Sequence, residues 1–326
     1  MDTRTGSSRP LGMKEGFLFA GGLLLLGLVL QAVVGEVRWA VLAWPVNLFL
    51  LLAWLVIILD IWFLCRRVRF FEWMMHNGAG VPALVFALVL TLIMGLVTQE
   101  SAVVHPGTSA TMPWLGRMLR FWPFVLAWGW VVLIAGLAAL NHLSRWRVRE
   151  IPFVLNHLGL FVAVAAAALG APDKQDLKLM AFPDTPEWRA VDGSGALVEL
   201  DFDVTLHKFI MESYSDGSPR RFASEVTVAQ RGAEVSAGSG ISGTVEVNKP
   251  LRYRGWKIYQ HDYDAASGRY SVLELVRDPW LWAVYAGIFM MLAGAICLMF
   301  FMAPKPLREE SDEGSGRAQN DRREAV

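Results

Sequence analysis

Residues 144–171 read SRWRVREIPFVLNHLGLFVAVAAAALGA, and the architecture follows from how this stretch is understood. Arg145, Arg147 and Arg149 open it, after which the chain is apolar from Ile151 to Leu169. A run of that length is a transmembrane candidate, because about 20 residues in a helix cross the hydrocarbon core of a bilayer. His157 lies roughly two turns in, about 9 Å along the axis at 1.5 Å per residue. An ionisable side chain at such a depth is costly, and is tolerated where it faces a partner, a cavity or a cofactor. Immediately after this helix the composition turns polar and strand-like for about a hundred residues. The stretch is therefore also the stalk of the one sizeable water-facing domain.

Outward from this point the whole composition agrees. The 326 residues are 54% hydrophobic and 18% charged, with a mean hydropathy of +0.39, far more apolar sequence than a soluble core needs. The formal net charge is zero and no long basic block stands out, which removes the footprint of a nucleic-acid binder. Cys65 and Cys297 fall at or inside expected spans, so they are read as inert thiols and not as a disulfide or redox pair.

Five further apolar runs flank the stretch: Phe17–Val34, Val46–Leu64, Val81–Val97 and Phe121–Leu140 before it, and Trp280–Met302 after the polar block. The first has a secretory signal as its rival reading; its length and the closeness of the next run favour an uncleaved helix. Asp60, near the end of the second run, is expected to reach the interface and meet Arg66, Arg67 and Arg69. Arginine and lysine divide the short loops unequally. Arg4, Arg9, Lys14, Arg66, Arg67, Arg69, Arg145, Arg147, Arg149, Lys305 and Arg308 fall on one side, Arg38, Arg117 and Arg120 on the other. The positive-inside rule then puts both termini in the cytoplasm and the polar block outside it. Tryptophans bracket the runs as interface anchors do: Trp39, Trp44, Trp114, Trp122, Trp280 and Trp282 outside, Trp62, Trp73 and Trp146 inside.

The expected fold is a polytopic α-helical membrane protein of six transmembrane helices. An extracytoplasmic all-β, sandwich-like or meander domain sits between the fifth and sixth. Its parts are a tail with two helices over 1–80, three helices over 81–171, the β domain over 172–278, a last helix over 279–303 and a disordered tail over 304–326. In the β block, Val198–His207 alternates strictly, which puts Asp201, Asp203 and His207 on the wet face. Glu225–Val228, Trp256–Tyr259 and Tyr270–Val276 are further strand candidates, with turns at Gln230–Ala233 and at Gly268.

Motifs for hydrolysis or nucleotide chemistry are missing: there is no GxSxG, no HExxH and no glycine-rich loop ending in Lys-Ser or Lys-Thr. His261, Asp262 and Asp264 could be imagined around a metal, but three polar residues beside a Ser-Gly turn more often mark a solvated strand end. His105 reads as a solvated loop residue with a ligand role as its rival, and His142 as a helix-end residue favoured by the dipole. His76 and His207 have equally ordinary places, in a basic loop and on a polar strand face. His157 keeps two readings. One is a ring hydrogen-bonded to a neighbouring helix; the other is an axial ligand of haem iron, with the neutral nitrogen as donor.

Two segments, taken together, are familiar. Ile151–Phe161 with Leu169–Ala171 resembles the "HLG…LG" helix of the ResB (CcsB) family of System II cytochrome c biogenesis. Val247–Gln260 resembles the strand pair "VN.PL.Y.G..YYQ" of the same family, and Arg277-Asp278-Pro279 resembles its short Asp-Pro element before the last span. The resemblance covers about Val81 to Met302. It implies a subunit that works with a CcsA-type membrane partner to carry haem across the cytoplasmic membrane and present it to apocytochrome c. It also implies that His157 is this subunit's haem ligand, with the opposing ligand on the partner. The partner's own Trp-rich signature is not found, since Trp128-Gly129-Trp130 lies inside a helix and lacks an acidic end. The chain is thus expected to be non-catalytic alone, a subunit of a haem-attachment complex. The rival readings are a cofactor-free, membrane-anchored scaffold or sensor acting through its β domain, and a transporter subunit with His157 as proton relay.

Overall fold

The computed structural model describes residues 11–65, 67–99, 114–145, 147–216, 218–232, 240–264 and 269–301. Arg4, Arg9, Arg66, His105, Trp146, Ala233, Gly268, Met302, Lys305, Arg308 and the tail over 304–326, all invoked above, lie outside those residues.

Among the described residues six helices are long and apolar enough to cross a membrane: α1 (Met13–Val34), α2 (Val46–Leu64), α4 (Asn77–Leu96), α5 (Trp122–Ser144), α6 (Ile151–Gly170) and α7 (Leu281–Phe301), with a short α3 (Arg69–Met74) between α2 and α4. Their limits follow local chemistry. Both α5 and α6 carry proline in the first turn, at Pro123 and Pro152, where a missing N–H costs nothing. At the start of α1 the Gly12 N–H donates to Glu15 Oε2 at 2.7 Å, closing one orphan donor of the helix end.

Helix α4 begins four residues earlier than the apolar run at Val81 implies. Asn77, Gly78 and Gly80 are helical despite their low propensity, because tertiary packing needs small residues there. A Cβ on Gly78 would meet the Trp73 indole at 2.9 Å, and one on Gly16 would collide with the Gly78 carbonyl and Pro82. Helix α5 is the hub: it packs against α1, α2, α4 and α6 and buries Ala127, Trp130, Val131, Ala135 and Leu137. Helices α1, α2 and α7 leave most of their apolar surface uncovered, as with Leu18, Phe63, Met299 and Phe300, each at least 76% exposed. Side chains like these suit hydrocarbon and not water.

Between α6 and α7 the chain forms β1 (Gln175–Ala181), β2 (Pro186–Asp192), β3 (Leu197–Ser213), β4 (Pro219–Gln230), β5 (Ile241–Glu246), β6 (Leu251–Tyr253), β7 (Trp256–Tyr263) and β8 (Ser271–Arg277). Of the two forms expected, sandwich or meander, the sandwich is corrected here, whereas neighbouring strands in sequence do pair as in a meander. All eight strands belong to one antiparallel sheet in the order β5-β4-β3-β2-β1-β8-β7-β6, which curls until β5 touches β6 and β7. Bonds cross its interior. Ser224 Oγ on β4 donates to Gln260 Oε1 on β7 at 2.6 Å, and Gln260 Nε2 donates to Ser271 Oγ on β8 at 2.9 Å. The physical reason for one barrel-like sheet in place of two lies in its bends: register shifts after Glu187, Leu206 and Gln260 add twist and curvature at those points.

The alternation in Val198–His207 holds: Leu200, Phe202, Val204 and Leu206 are buried in the barrel, while Asp201 and His207 face outward. Asp203 is half-buried, and its Oδ2 accepts from the Gly232 N–H at 3.2 Å. The family-like strand pair is a two-residue hairpin, with Tyr253 opposite Trp256 and Arg254 and Gly255 at φ 46° and 87°. Two consecutive left-handed residues are what a tight hairpin of this length requires.

One carboxylate ties β2 to its own edge. Glu187, with a side chain only 12% exposed, accepts two hydrogen bonds from the Arg189 guanidinium, at 2.8 and 2.9 Å. That guanidinium holds the Glu187 carboxyl below the usual glutamate value of 4.5. Because the folded value is depressed, the pair stabilises above the ordinary value, and its contribution disappears as pH falls through the folded one. Glu187→Gln is therefore expected to lower the first thermal transition of the full chain at pH 7 and to match the unsubstituted protein once the carboxyl is protonated. Melting curves over a descending pH series check this; a gap independent of pH would refute it.

A second carboxylate ties the ends of three helices together. Asp173, just past α6, accepts from the Trp44 N–H at 2.8 Å, from Asn47 Nδ2 at 2.7 Å and from Trp280 Nε1 at 2.7 Å. The start of α2, the end of α6 and the start of α7 therefore meet on one acceptor. Asn47 is fully buried and also donates to the Leu169 carbonyl at 2.9 Å. Asp173→Ala is expected to cost about 1–3 kcal/mol by stranding these donors. Asp173→Asn, which keeps acceptor oxygen, should cost less, and equal losses in thermal unfolding of the two variants would contradict this assignment.

Candidate functional site

Helices α5 and α6 form an antiparallel hairpin around the arginine-rich turn. His142 is eight residues before Glu150 and His157 seven after it, so the hairpin brings the two imidazoles level. Their ring centroids are 5.5 Å apart and nearly parallel, at 24°; the His142 ring also stacks on Phe153, at 5.2 Å and 14°. Glu150 precedes α6 without capping it. Its Oε2 instead accepts from His142 Nδ1 at 2.5 Å, where both side chains are about one fifth exposed.

His157 is half-buried, and its Nδ1 lies 2.8 Å from the Phe153 carbonyl one turn back. A carbonyl only accepts, so Nδ1 carries the proton. Neutral imidazole has one protonated nitrogen, which leaves the lone pair on Nε2. That Nε2 makes no hydrogen bond to the described residues, yet it is not among the sealed, unpartnered polar atoms. It opens to the molecular surface. Chemically this is a pre-oriented Lewis base: the backbone carbonyl settles the tautomer, the usual second-shell arrangement behind a metal-binding histidine.

The other residues singled out from sequence are dispersed. His76 occupies the N-cap of α4 without a side-chain bond. His207 Nε2 pairs with Thr227 Oγ1 at 2.7 Å on the outside of the sheet. His261 Nδ1 is 3.8 Å from Glu274, and Asp262 Oδ1 accepts from the Tyr263 N–H at 2.8 Å. Among the described residues no three histidine, cysteine or acidic side chains group closely enough to hold a metal ion. Cys65 and Cys297 are free thiols, and Cys65 Sγ donates to the Trp62 carbonyl.

Sequence reasoning put His142 down to helix-end electrostatics and did not connect it with His157. A signal was present in their near-equal spacing about the turn. It was unusable without knowing that the two helices pack directly on each other.

A larger apolar cavity, about 1000 Å³, lies elsewhere, lined among others by Leu51, Trp54, Trp128, Trp130 and Val164. It meets α6 only from Ala163 onward and so is separate from the His157 ring. The Trp54, Trp128 and Trp130 indole N–H groups are buried without an acceptor among the described residues.

The ResB-like family model matches residues 144–269, from the arginine turn through the hairpin of β6 and β7. A cytochrome c biogenesis protein CcsB of Prochlorococcus marinus (strain NATL1A) is 28% identical over 114 residues, 35% of this chain and 25% of that one. The protein of the same name from Synechococcus elongatus is 25% identical over 126 residues, 36% of this chain and 26% of that one. The match thus spans about a quarter of the length of these curated relatives. A solved structure, cytochrome c heme lyase CcmF, is 17% identical with a TM-score of 0.35, over 91% of this chain and 46% of that one. That likeness is too loose to bear on the site.

Proposed function

We propose that this chain, with its ResB-like segment over residues 144–269, is a multi-pass membrane subunit of a cytochrome c maturation machinery, and that haem is its cargo. In this reading α1, α2, α4, α5, α6 and α7 cross the cytoplasmic membrane, both termini are cytoplasmic and the barrel-like sheet is periplasmic or otherwise extracytoplasmic. The loop arginines support that orientation. His157 would be this chain's ligand to the haem iron, a CcsA-type membrane partner would supply a second, and apocytochrome c would receive the haem.

The observation that carries the proposal is the state of His157, whose Nδ1–H is tied to the Phe153 carbonyl while Nε2 is open. The residues present fit a haem on chemical grounds: a neutral imidazole nitrogen is the donor that porphyrin iron takes. Bound haem would supply the iron that this nitrogen holds; the chain's own part is to fix the tautomer and ring direction. Its strands would brace the partner or guide the apocytochrome.

The test is a visible spectrum of the full chain purified from haem-replete membranes, alone and with its CcsA-type partner. A Soret band that depends on His157 supports the reading, and colourless protein in both preparations overturns it. A second reading, a transporter subunit with His157 as proton relay, has one observation in its favour: the hydrogen-bonded pair of Glu150 and His142 lies beside His157, so titratable groups gather in one helix pair. In that case the protein is colourless and His157 variants alter proton uptake.

A further inference from the structure

We infer that Glu150 and His142 are positioning residues for His157, acting in series to hold its imidazole with Nε2 outward. This rests on the reading of His157 as the haem ligand and adds two residues to it, neither of which would touch iron.

The geometry runs in three steps. Glu150 Oε2 holds His142 Nδ1 at 2.5 Å, so the His142 ring is anchored by a charge-assisted bond at the start of α6. That ring is stacked on Phe153 and on His157, with centroids 5.2 and 5.5 Å away. It therefore fixes the plane of His157 from the side. The His157 ring, held in that plane, reaches the Phe153 carbonyl at 2.8 Å.

A histidine on an isolated helix can turn about χ1 and χ2 among several rotamers. The stack and the backbone bond together select the one in which Nε2 faces away from its own helix. Glu150 and His142 are each about one fifth exposed, so their contact is only partly screened and persists at ordinary ionic strength. The arrangement spans the two helices of the hairpin, so a shift of α5 against α6 would move the ligand. The carboxylate, the first ring and the second ring share no covalent neighbour, and each can be changed separately.

Two measurements separate this inference from the haem reading. The first needs no haem: ¹⁵N NMR of histidine-labelled full chain in nanodiscs reports which His157 nitrogen carries the proton. The expected result is a single tautomer with Nδ1–H, which becomes a mixture in His142→Leu and in Glu150→Ala. His142→Phe, which keeps a ring to stack but not its bond to Glu150, should resemble Glu150→Ala and fall between the unsubstituted chain and His142→Leu. An unchanged single tautomer in His142→Leu overturns the inference.

The second is a haemin titration of the same proteins, read by the Soret band. Removing an outer-shell partner of a metal ligand costs about 10–100-fold in affinity, which is the loss expected for His142→Leu, with His142→Phe between it and the unsubstituted chain. Equal affinities in all of these variants would also count against the inference. Affinity that is indifferent to His157 itself sinks the haem reading, while the NMR result still stands on its own.

Discussion

His157→Gly is expected to strip haem from the chain and its partner, with the Soret absorbance of the purified complex falling about ten-fold or more. The scale follows from outer-shell effects: changing a residue that merely orients a metal ligand costs about 10–100-fold, and deleting the ligand cannot cost less. His142, whose Nδ1 is engaged by Glu150, keeps an Nε2 of its own beside the site, so the His142→Leu, His157→Gly double variant is the control for a substitute ligand. Replacement by glycine leaves a gap of about imidazole size beside the His142 ring, so added imidazole should return part of the absorbance. Pyrrole, a ring of similar size without a basic nitrogen lone pair, should not. A His157→Gly complex that keeps its haem, with an unaltered spectrum, would remove the basis of the proposed function. The α6 backbone tolerates the change only moderately, since glycine inside a helix costs about 1 kcal/mol, and His157→Ala serves as the control for folding.

Gly287→Val is expected to break the α6 and α7 pair and reduce the folded chain sharply. At this crossing the two backbones approach directly. A Cβ on Gly287 would sit 2.5 Å from the Ala163 N and 2.6 Å from the Gly159 carbonyl; one on Gly159 would sit 2.7 Å from the Gly287 carbonyl. Backbone atoms cannot rotate aside as a side chain can, so the helices must separate. Separation forfeits the close packing that drives helix association in lipid, where no hydrophobic gain is available between apolar helices. Overpacking of this kind typically costs about 1–3 kcal/mol, and the rigid neighbours put Gly287→Val toward the upper end. Gly21→Ala and Gly95→Ala are the natural controls, because nothing lies within 4 Å of the added carbon at either position. They should be neutral or slightly stabilising, as Ala exceeds Gly in helix propensity. Thermal stability of the four chains in nanodiscs decides; a Gly287→Val chain as stable as Gly21→Ala would mean that the helices do not cross so closely.

The linear chain already contained the helices, for a reason of length. Val46–Leu64 was read with the same limits as the helix that forms, and Ile151–Leu169 to within one residue at its end. A run of some 20 apolar residues has few alternatives to a continuous helix. The strand alternation of Val198–His207 was equally legible, since period two leaves one face for the core. So was the family likeness around His157 and the Tyr253 hairpin, which rests on local spacing.

What needed three dimensions was every relation between segments. Whether the strands make two sheets or one curled sheet depends on register shifts such as that between Gln260 and Asp262, which no residue pattern announces. The meeting of Asn47, Asp173 and Trp280 joins positions more than a hundred residues apart. Most of all, His142 and Glu150 became part of the candidate site only when α5 folded back on α6. Periodicity reports which face of an element is apolar, but the pairing of faces is decided by close packing among many segments at once, and that information resides in the folded whole.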